Sequence, residues 1–287
     1  MIAHVAEANE ARGRVVLQFR SGHPSPVALE AAIRIAQAFQ SGIESLFIED
    51  SQLIDLAGFS FAREISLSGR KSRTICSADM ERELRLAFAP IRRRIAALAR
   101  AAEVPVRQRV VRDEPVSALA ATCSECGPWN VVAIADPFGT LGSSPLRHLL
   151  TSVVDATGLV IVGPKAKRTS GPVVVAVEEL DRLPSMLRAA ERLSAVTGGE
   201  VIVLLIADSQ ERLHLMEGQA RLVLGERPDL RFALVELQPG ASAAAAEALR
   251  RMRAGFVISQ YGGLVIPEDE DLRPLAAALE CPLFLVR

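Results

Sequence analysis

Short apolar runs alternate with longer segments of helical periodicity along the whole chain. The run at 15–19 is typical of a β-strand, and apolar residues spaced three and four apart over 27–39 predict the helix that follows it. Apolar strands that alternate with helices indicate a parallel sheet, because helices on both sides of such a sheet bury both faces of each strand. The pattern therefore predicts an α/β protein.

The same order of elements occurs twice. In the first half the pattern predicts strands at 15–19, 43–48, 106–111, 131–135 and 159–162, and helices at 27–39, 79–102 and 115–123. In the second half it predicts strands at 173–177, 201–207, 232–237, 256–259 and 283–286, and helices at 184–196, 211–224, 241–252 and 272–279. We therefore expect two tandem units of similar architecture.

The polar and basic segment 164–170 is the natural linker between these units. The predicted domains are residues 1–168 and residues 169–287. The first carries an insertion at 50–78, between the second strand and the long helix. A connection of that length inside a compact domain is usually functional or mobile.

Composition and charge narrow the class of protein. Hydrophobic residues make up 49% and charged residues 23%, which is typical of a globular chain. The formal net charge of −1 argues against a nucleic-acid partner, which would require a basic face. No run of 18 apolar residues and no N-terminal signal pattern is found, and four cysteines do not make a disulfide framework. We therefore expect a cytoplasmic protein without a membrane partner.

Several motifs together resemble the universal stress protein superfamily in its tandem two-domain form. Residues 112–120 are similar to the segment that enters the helix before strand four, and 130–135 to strand four itself. Gly139-Thr140-Leu141-Gly142, followed by Thr151-Ser152, resembles the family's Gly-x2-Gly phosphate loop and the small-residue pair after it. Cys281-Pro282 resembles the start of the closing strand. The order of these motifs over nearly the full length carries the resemblance.

The resemblance implies a stress-response role and a Rossmann-like, five-stranded parallel sheet in each half. The two halves would pair through their last strands as an intramolecular pseudo-dimer. It also implies ATP or AMP as a ligand over the carboxyl ends of the strands, with the second strand contacting the base through its backbone. The residues that match these positions are Gly139, Gly142, Ser143, Ser152, Ser21 and Phe47.

The chain departs from the family pattern at several of these positions. Arg20-Ser21 follows strand one, where the family has an aspartate, although Glu49 and Asp50 after strand two are candidates to replace it or to coordinate a metal. Eight residues separate Gly142 from the Thr-Ser pair, where the family has nine. In the second half Glu178-Glu179 stands near the strand-one acidic position, but no phosphate loop follows strand four. The second unit is therefore expected to be degenerate.

Other candidate chemistry has a structural alternative in each case. Cys123 and Cys126 have the spacing of a redox pair or half of a zinc site, whereas small buried thiols are the common case. The acidic run 268–271 suggests either a cation site or a solvated loop. Neither a nucleophile elbow nor a P-loop nor a dinucleotide fingerprint is present in the sequence. We therefore predict neither a metal nor a catalytic residue.

Three function classes remain open. The first is a regulator that binds a nucleotide or another anionic small molecule in its first half. The second is an interaction module that has lost the ligand site and docks a partner on the insertion 50–78. The third is a nucleotide hydrolase, although no catalytic base or metal cluster in the sequence supports it. A further homodimer also remains open. Basic and aromatic residues of the insertion are Phe59, Phe61, Arg63, Arg70, Lys71 and Arg73.

Overall fold

A computed structural model describes residues 13–19, 25–66, 68–126, 130–134, 149, 151–225, 227–238, 242–267 and 272–286. The strands in these ranges are β1 (Arg14–Phe19), β2 (Gly42–Asp50), β3 (Arg63–Ile65), β4 (Ser72–Thr74), β5 (Val106–Asp113), β6 (Asn130–Ile134), β7 (Ala156–Ile161), β8 (Val173–Val177), β9 (Val201–Ala207), β10 (Leu230–Glu236), β11 (Phe256–Gln260) and β12 (Leu283–Val286). The helices are α1 (Pro26–Ala38), α2 (Ser51–Ala57), α3 (Ser77–Ala101), α4 (Pro115–Cys126), α5 (Leu183–Thr197), α6 (Gln210–Leu224), α7 (Ser242–Arg251) and α8 (Arg273–Ala278).

Ten strands form one continuous sheet in the order β10-β9-β8-β11-β12-β7-β6-β1-β2-β5. Neighbouring strands are parallel at every pairing except one, where β7 and β12 run antiparallel. Helices connect the parallel strands, because a parallel strand is reached only by a crossover. The predicted α/β class with a largely parallel sheet is confirmed.

The sheet consists of two five-strand sets with the same internal order. β5-β2-β1-β6-β7 in the first set corresponds to β10-β9-β8-β11-β12 in the second. The two sets meet where Leu283 of β12 pairs with Ile161 of β7. On one face, α1 packs against α5. The exact domain boundary near Arg168 stays a prediction.

The core is aliphatic and lies on both faces of the sheet. Strand β8 shows why its sequence is apolar throughout. Val173, Val175 and Val177 point into the core beneath α1, α3, α5 and α6. Val174 and Ala176 point into the core beneath α4, α7 and α8. No helix in the described ranges is long and apolar enough to cross a membrane.

The insertion 50–78 contains secondary structure that the hydrophobic pattern did not predict. It folds into α2 and the β3–β4 hairpin, in which Arg63 is paired with Thr74 and Ile65 with Ser72. Asp50 begins α2, because its carboxylate accepts a hydrogen bond from the Gln52 amide at 3.1 Å. Ile54 and Ala57 are the buried residues of this helix, which contacts α3.

Candidate functional site

The carboxyl ends of β1 and β6 form the point in the first half where the chain leaves the sheet in opposite directions. The two strands are adjacent and parallel, with Gln18 in register with Ile134. After β1, the chain crosses to the face where Leu29 of α1 is buried. After β6, it crosses to the other face, where Leu149 and Val153 are buried. Such topological switch points are the usual ligand sites of open α/β sheets.

Four of the predicted ligand residues, Ser21, Gly139, Gly142 and Ser143, lie outside the described residues. Their roles, and the predicted phosphate loop, therefore stay predictions. Ser152 is described as a half-buried helical residue immediately before Val153. Ser152 therefore lies in the helical segment that follows β6 at the first switch point.

Phe47 lies three residues before the end of β2, and its side chain is completely buried. Its ring stacks on Phe19 with centroids 4.9 Å apart and lies 5.1 Å from the ring of Phe88. In the sheet it is in register with Phe19 on one side and Val110 on the other. The ring therefore packs in the core near the carboxyl end of β2. The predicted contact between the backbone of β2 and a nucleotide base stays a prediction.

The two acidic residues at the end of β2 have different environments. Asp50 caps α2, as described above. Glu49 is buried and belongs to an ion-pair cluster with Arg112 at 3.1 Å and Arg85 at 3.7 Å, while Arg112 also pairs with Glu81 at 2.7 Å. We call Glu49, Glu81, Arg85 and Arg112 the Glu49 cluster. Because two guanidinium groups surround Glu49, the cluster disfavours a metal cation.

The second half contains an equivalent switch point between β8 and β11, which are adjacent and parallel. Here Glu178, the residue after β8, is buried and turned toward the loop that follows β11. Its carboxylate accepts hydrogen bonds from the amide N–H groups of Leu264 and Val265, the latter at 3.1 Å. Burial raises the pKa of Glu178, and these two amide bonds oppose that rise.

Gly263 allows this close approach. A Cβ atom at position 263 would overlap the Glu178 carboxylate. The sequence indicates Glu178 as a candidate acid of the ligand site but does not indicate its partner, because the two segments are far apart in the chain. The consecutive glycines Gly262 and Gly263 were the available indication of a tight backbone approach. The switch point of the second half is therefore occupied by the protein's own carboxylate.

The Cys123–Cys126 pair lies in α4 with both thiols buried. Burial raises the pKa of Cys123 to about 12 and also raises the pKa of Cys126. Such thiols stay protonated near neutral pH and are poor nucleophiles and poor metal ligands. Over the part of the chain that the structure describes, no group of three His, Cys, Asp or Glu residues is arranged to hold a metal.

A cleft of about 580 Å³ lies at the opposite edge of the sheet, where the strands begin. Arg14 pairs with the buried Glu44 at 2.7 Å, and Arg109 pairs with Glu125 at 2.6 Å. These acidic partners offset the arginines and reduce the attraction for an external anion. The lining residues are Arg14, Glu44, Arg107, Gln108, Arg109, Glu125 and Cys126.

The strand order and the two switch points define an open α/β sheet that is wound in both directions from β1 and from β8. No protein-family model matches the sequence, and no curated protein matches it. Solved structures show which fold it shares. A universal stress protein from Archaeoglobus fulgidus DSM 4304 aligns with a TM-score of 0.55 and 14% identity, over 97% of this chain and 98% of that one.

Two further structures have the same fold. A candidate universal stress protein from Pseudomonas aeruginosa UCBPP-PA14 has a TM-score of 0.56 and 12% identity, over 97% of this chain and 94% of that one. The cytoplasmic domain of a prokaryotic cation chloride cotransporter has a TM-score of 0.54 and 9% identity, over 96% and 95%. The chain thus has the fold of universal stress proteins. The resemblance seen in the sequence is confirmed at the level of the fold.

Proposed function

We propose that this protein is a universal-stress-protein-like regulator that binds a nucleotide or another anionic small molecule at the switch point of its first half. The contrast between the two switch points carries this proposal. In the second half, Glu178 follows β8, and its negatively charged carboxylate accepts hydrogen bonds from the amide N–H groups of the loop. In the first half, the sequence places Arg20, a positive charge, at the corresponding position after β1.

The opposite charges of Glu178 and Arg20 favour different occupants of the two switch points. A carboxylate that satisfies nearby amide N–H groups serves as an internal anion and leaves an external anion without donors. An arginine at the same position attracts phosphate or carboxylate and binds it through paired N–H groups. The Gly-x2-Gly sequence at Gly139 and Gly142 supports the same assignment, because glycine amides before a helix attract phosphate. ATP and AMP are the ligands we expect first.

A thermal-shift titration of carefully desalted protein tests the proposal, with ATP, ADP and AMP, each with and without magnesium. Binding to the folded state alone stabilises it, by about 2.7 kcal/mol when the ligand is at a hundred times its Kd. We expect a saturable rise in Tm with at least one nucleotide. Pyrophosphate serves as the probe for anion binding without a base.

Three variants make this test specific. Arg20→Glu supplies the first half with the charge that Glu178 has in the second, and we expect it to abolish the rise in Tm. Gly142→Val should do the same by blocking close approach of the phosphate. Arg70→Glu is the matched control, because it makes the same charge change on the exposed β3–β4 hairpin and should leave the rise unchanged.

A flat response of the folded wild-type protein to all nucleotides and to pyrophosphate would contradict the proposal. It would favour the interaction module, which keeps the fold without the ligand. Release of phosphate from ATP that persists through repurification, and is lost in Gly142→Val, would instead establish a nucleotide hydrolase.

A further inference from the structure

Five large apolar side chains of the insertion are exposed within 13 consecutive residues, with exposed fractions between 38% and 73%. We call these residues the insertion patch, and they are Leu53, Leu56, Phe59, Phe61 and Ile65. The rings of Phe59 and Phe61 stack on one another with centroids 5.3 Å apart. Single exposed apolar residues are ordinary on protein surfaces, but a contiguous group marks an interaction site.

Buried contacts hold the insertion patch on an ordered support. Ile54 and Ala57 of α2 are buried, and the Ser77 hydroxyl at the start of α3 donates to the Ile54 carbonyl at 3.0 Å. The Ala62 amide donates to the carbonyl of Phe59 at 3.0 Å, which fixes the turn between the two rings. A surface that is already ordered loses little conformational entropy when a partner binds.

The hairpin beside the insertion patch is basic. Residues 63–74 contain four basic side chains and one acidic side chain, a formal net charge of +3. Arg73 pairs with Glu64 and Glu83. Arg63, Arg70 and Lys71 are exposed and form no ion pair with other residues in the described ranges. The charge of the hairpin therefore favours a partner whose own surface is acidic.

Leu53 and Leu56 determine the shape of the insertion patch on α2. They stand three residues apart on α2, so they share one helix face and form a short ridge. Ridges of this kind pack into the grooves of another helix. The stacked rings of Phe59 and Phe61, which follow α2 in the chain, are the type of anchor that dominates protein interfaces. Pairing of two copies through this surface is disfavoured, because it would bring two basic hairpins together.

We propose that the insertion patch docks an amphipathic helix of a partner protein, whose apolar face meets Phe59, Phe61 and Leu56 and whose flanks carry Asp and Glu opposite the hairpin. This surface lies in the insertion after β2 and uses none of the residues assigned to the ligand at β1 and β6. The proposal is therefore independent of nucleotide binding.

Binding of designed helical peptides to the full chain tests the proposal by fluorescence anisotropy. The first peptide carries leucine on one face and glutamate on its flanks, and the second has lysine in place of each glutamate. We expect saturable binding of the acidic peptide, weakened by salt because surface charges are screened, and at least tenfold weaker binding of the basic one.

Variants of the full chain locate the binding surface. Phe59→Ser with Phe61→Ser, and separately Lys71→Glu, should each weaken binding of the acidic peptide at least fivefold. Leu222→Ser on α6, where Leu222 is 84% exposed, is the matched control and should leave it unchanged. An unchanged Tm, and an unchanged nucleotide response if one exists, shows that each variant is folded and that the ligand site is intact.

Four outcomes would overturn the proposal. The first is absence of binding by the acidic peptide, and the second is equal binding of both peptides. The third is binding that persists when both phenylalanines are replaced. Sedimentation with phosphatidylserine vesicles, lost on replacement of the phenylalanines, would also overturn it and would assign the surface to an anionic membrane instead.

Discussion

The carboxylate of Glu178 accepts a hydrogen bond from the amide N–H of Val265 at 3.1 Å and so ties the end of β8 to the loop after β11. These two residues lie 87 positions apart in the chain. Ligands of open α/β sheets bind where such loops meet. The Glu178 carboxylate therefore occupies the second switch point, where an external ligand would otherwise bind. The two halves thus share a strand order but differ at the position where a ligand would bind.

Replacing Gly263 by alanine should break this contact. The new methyl group would overlap the Glu178 carboxylate, and we expect a loss of about 2 kcal/mol in the free energy of unfolding, typical of overpacking at a buried site. Urea denaturation measures it. Gly218→Ala in α6 is the matched control, since its methyl group meets no atom within 4 Å and should stabilise by up to about 1 kcal/mol.

A double-mutant cycle separates this cause from a general effect on the loop. In a Glu178→Ala background the alanine at position 263 has room, so the cost of Gly263→Ala should fall by at least about 1 kcal/mol. Equal costs in the two backgrounds would show that the carboxylate is not what excludes the methyl group.

Glu178 should also make stability depend on pH. Burial raises its pKa in the folded state, and the neighbouring Glu179 adds to that rise. A raised carboxyl pKa contributes stability that is complete below the unfolded value and is lost as the pH rises through the folded one. We therefore expect the stability of Glu178→Gln relative to the wild type to increase as the pH rises above the unfolded carboxyl pKa of about 4.3, measured by urea denaturation. The exposed Glu179→Gln is the control and should show a smaller change.

The Arg14–Glu44 pair should be important for folding. Glu44 is buried, and only 12% of the Arg14 side chain is exposed, so removing the carboxylate leaves a charge with little access to water. We expect Glu44→Ala to cost about 3 kcal/mol in the free energy of unfolding. Glu247→Ala removes exposed pairs with Arg250 and Arg251 and should cost no more than about 0.5 kcal/mol. Similar losses in the free energy of unfolding for Glu44→Ala and Glu247→Ala would contradict a special role of the Arg14–Glu44 pair in stability.

Thiol reactivity should distinguish the four cysteines. Cys76 is exposed, whereas Cys123, Cys126 and Cys281 are buried. Burial raises the pKa of Cys123 and of Cys281 to about 12, which removes their reactive thiolate form near neutral pH. With Ellman's reagent at about pH 8, we expect Cys76 to react rapidly in the folded protein and the other three only after denaturation. Cys76→Ser should abolish the rapid reaction, and a rapid second thiol would contradict the burial of one of the other three cysteines.

Phe47 should contribute strongly to stability. Its ring is fully buried between Phe19 and Phe88, so Phe47→Ala should cost about 3–5 kcal/mol. Phe61→Ala, at a site that is 73% exposed, should change stability by less than about 0.5 kcal/mol. Thermal and urea unfolding measure both. A ligand-binding defect in Phe47→Ala is interpretable only under conditions where the variant is folded.

The sequence alone determined the elements whose residues carry a local pattern. Strand β8 is apolar at each of its five positions, and α1 has apolar residues spaced three and four apart, so both were predicted within a residue or two. The alternation of strands and helices predicted the α/β class for the same reason. Local periodicity is a property of neighbouring residues, and it needs no knowledge of the rest of the fold.

Only the tertiary structure decided the contacts between distant segments. The β3 and β4 strands are three residues each and exposed on every residue, so no hydrophobic pattern marked them. The sequence offered Glu178 as a ligand-site acid, whereas the folded chain brings the amides of Leu264 and Val265 to it. Backbone amides have no sequence signature, because every residue except proline has one, and their positions follow from the path of the whole chain.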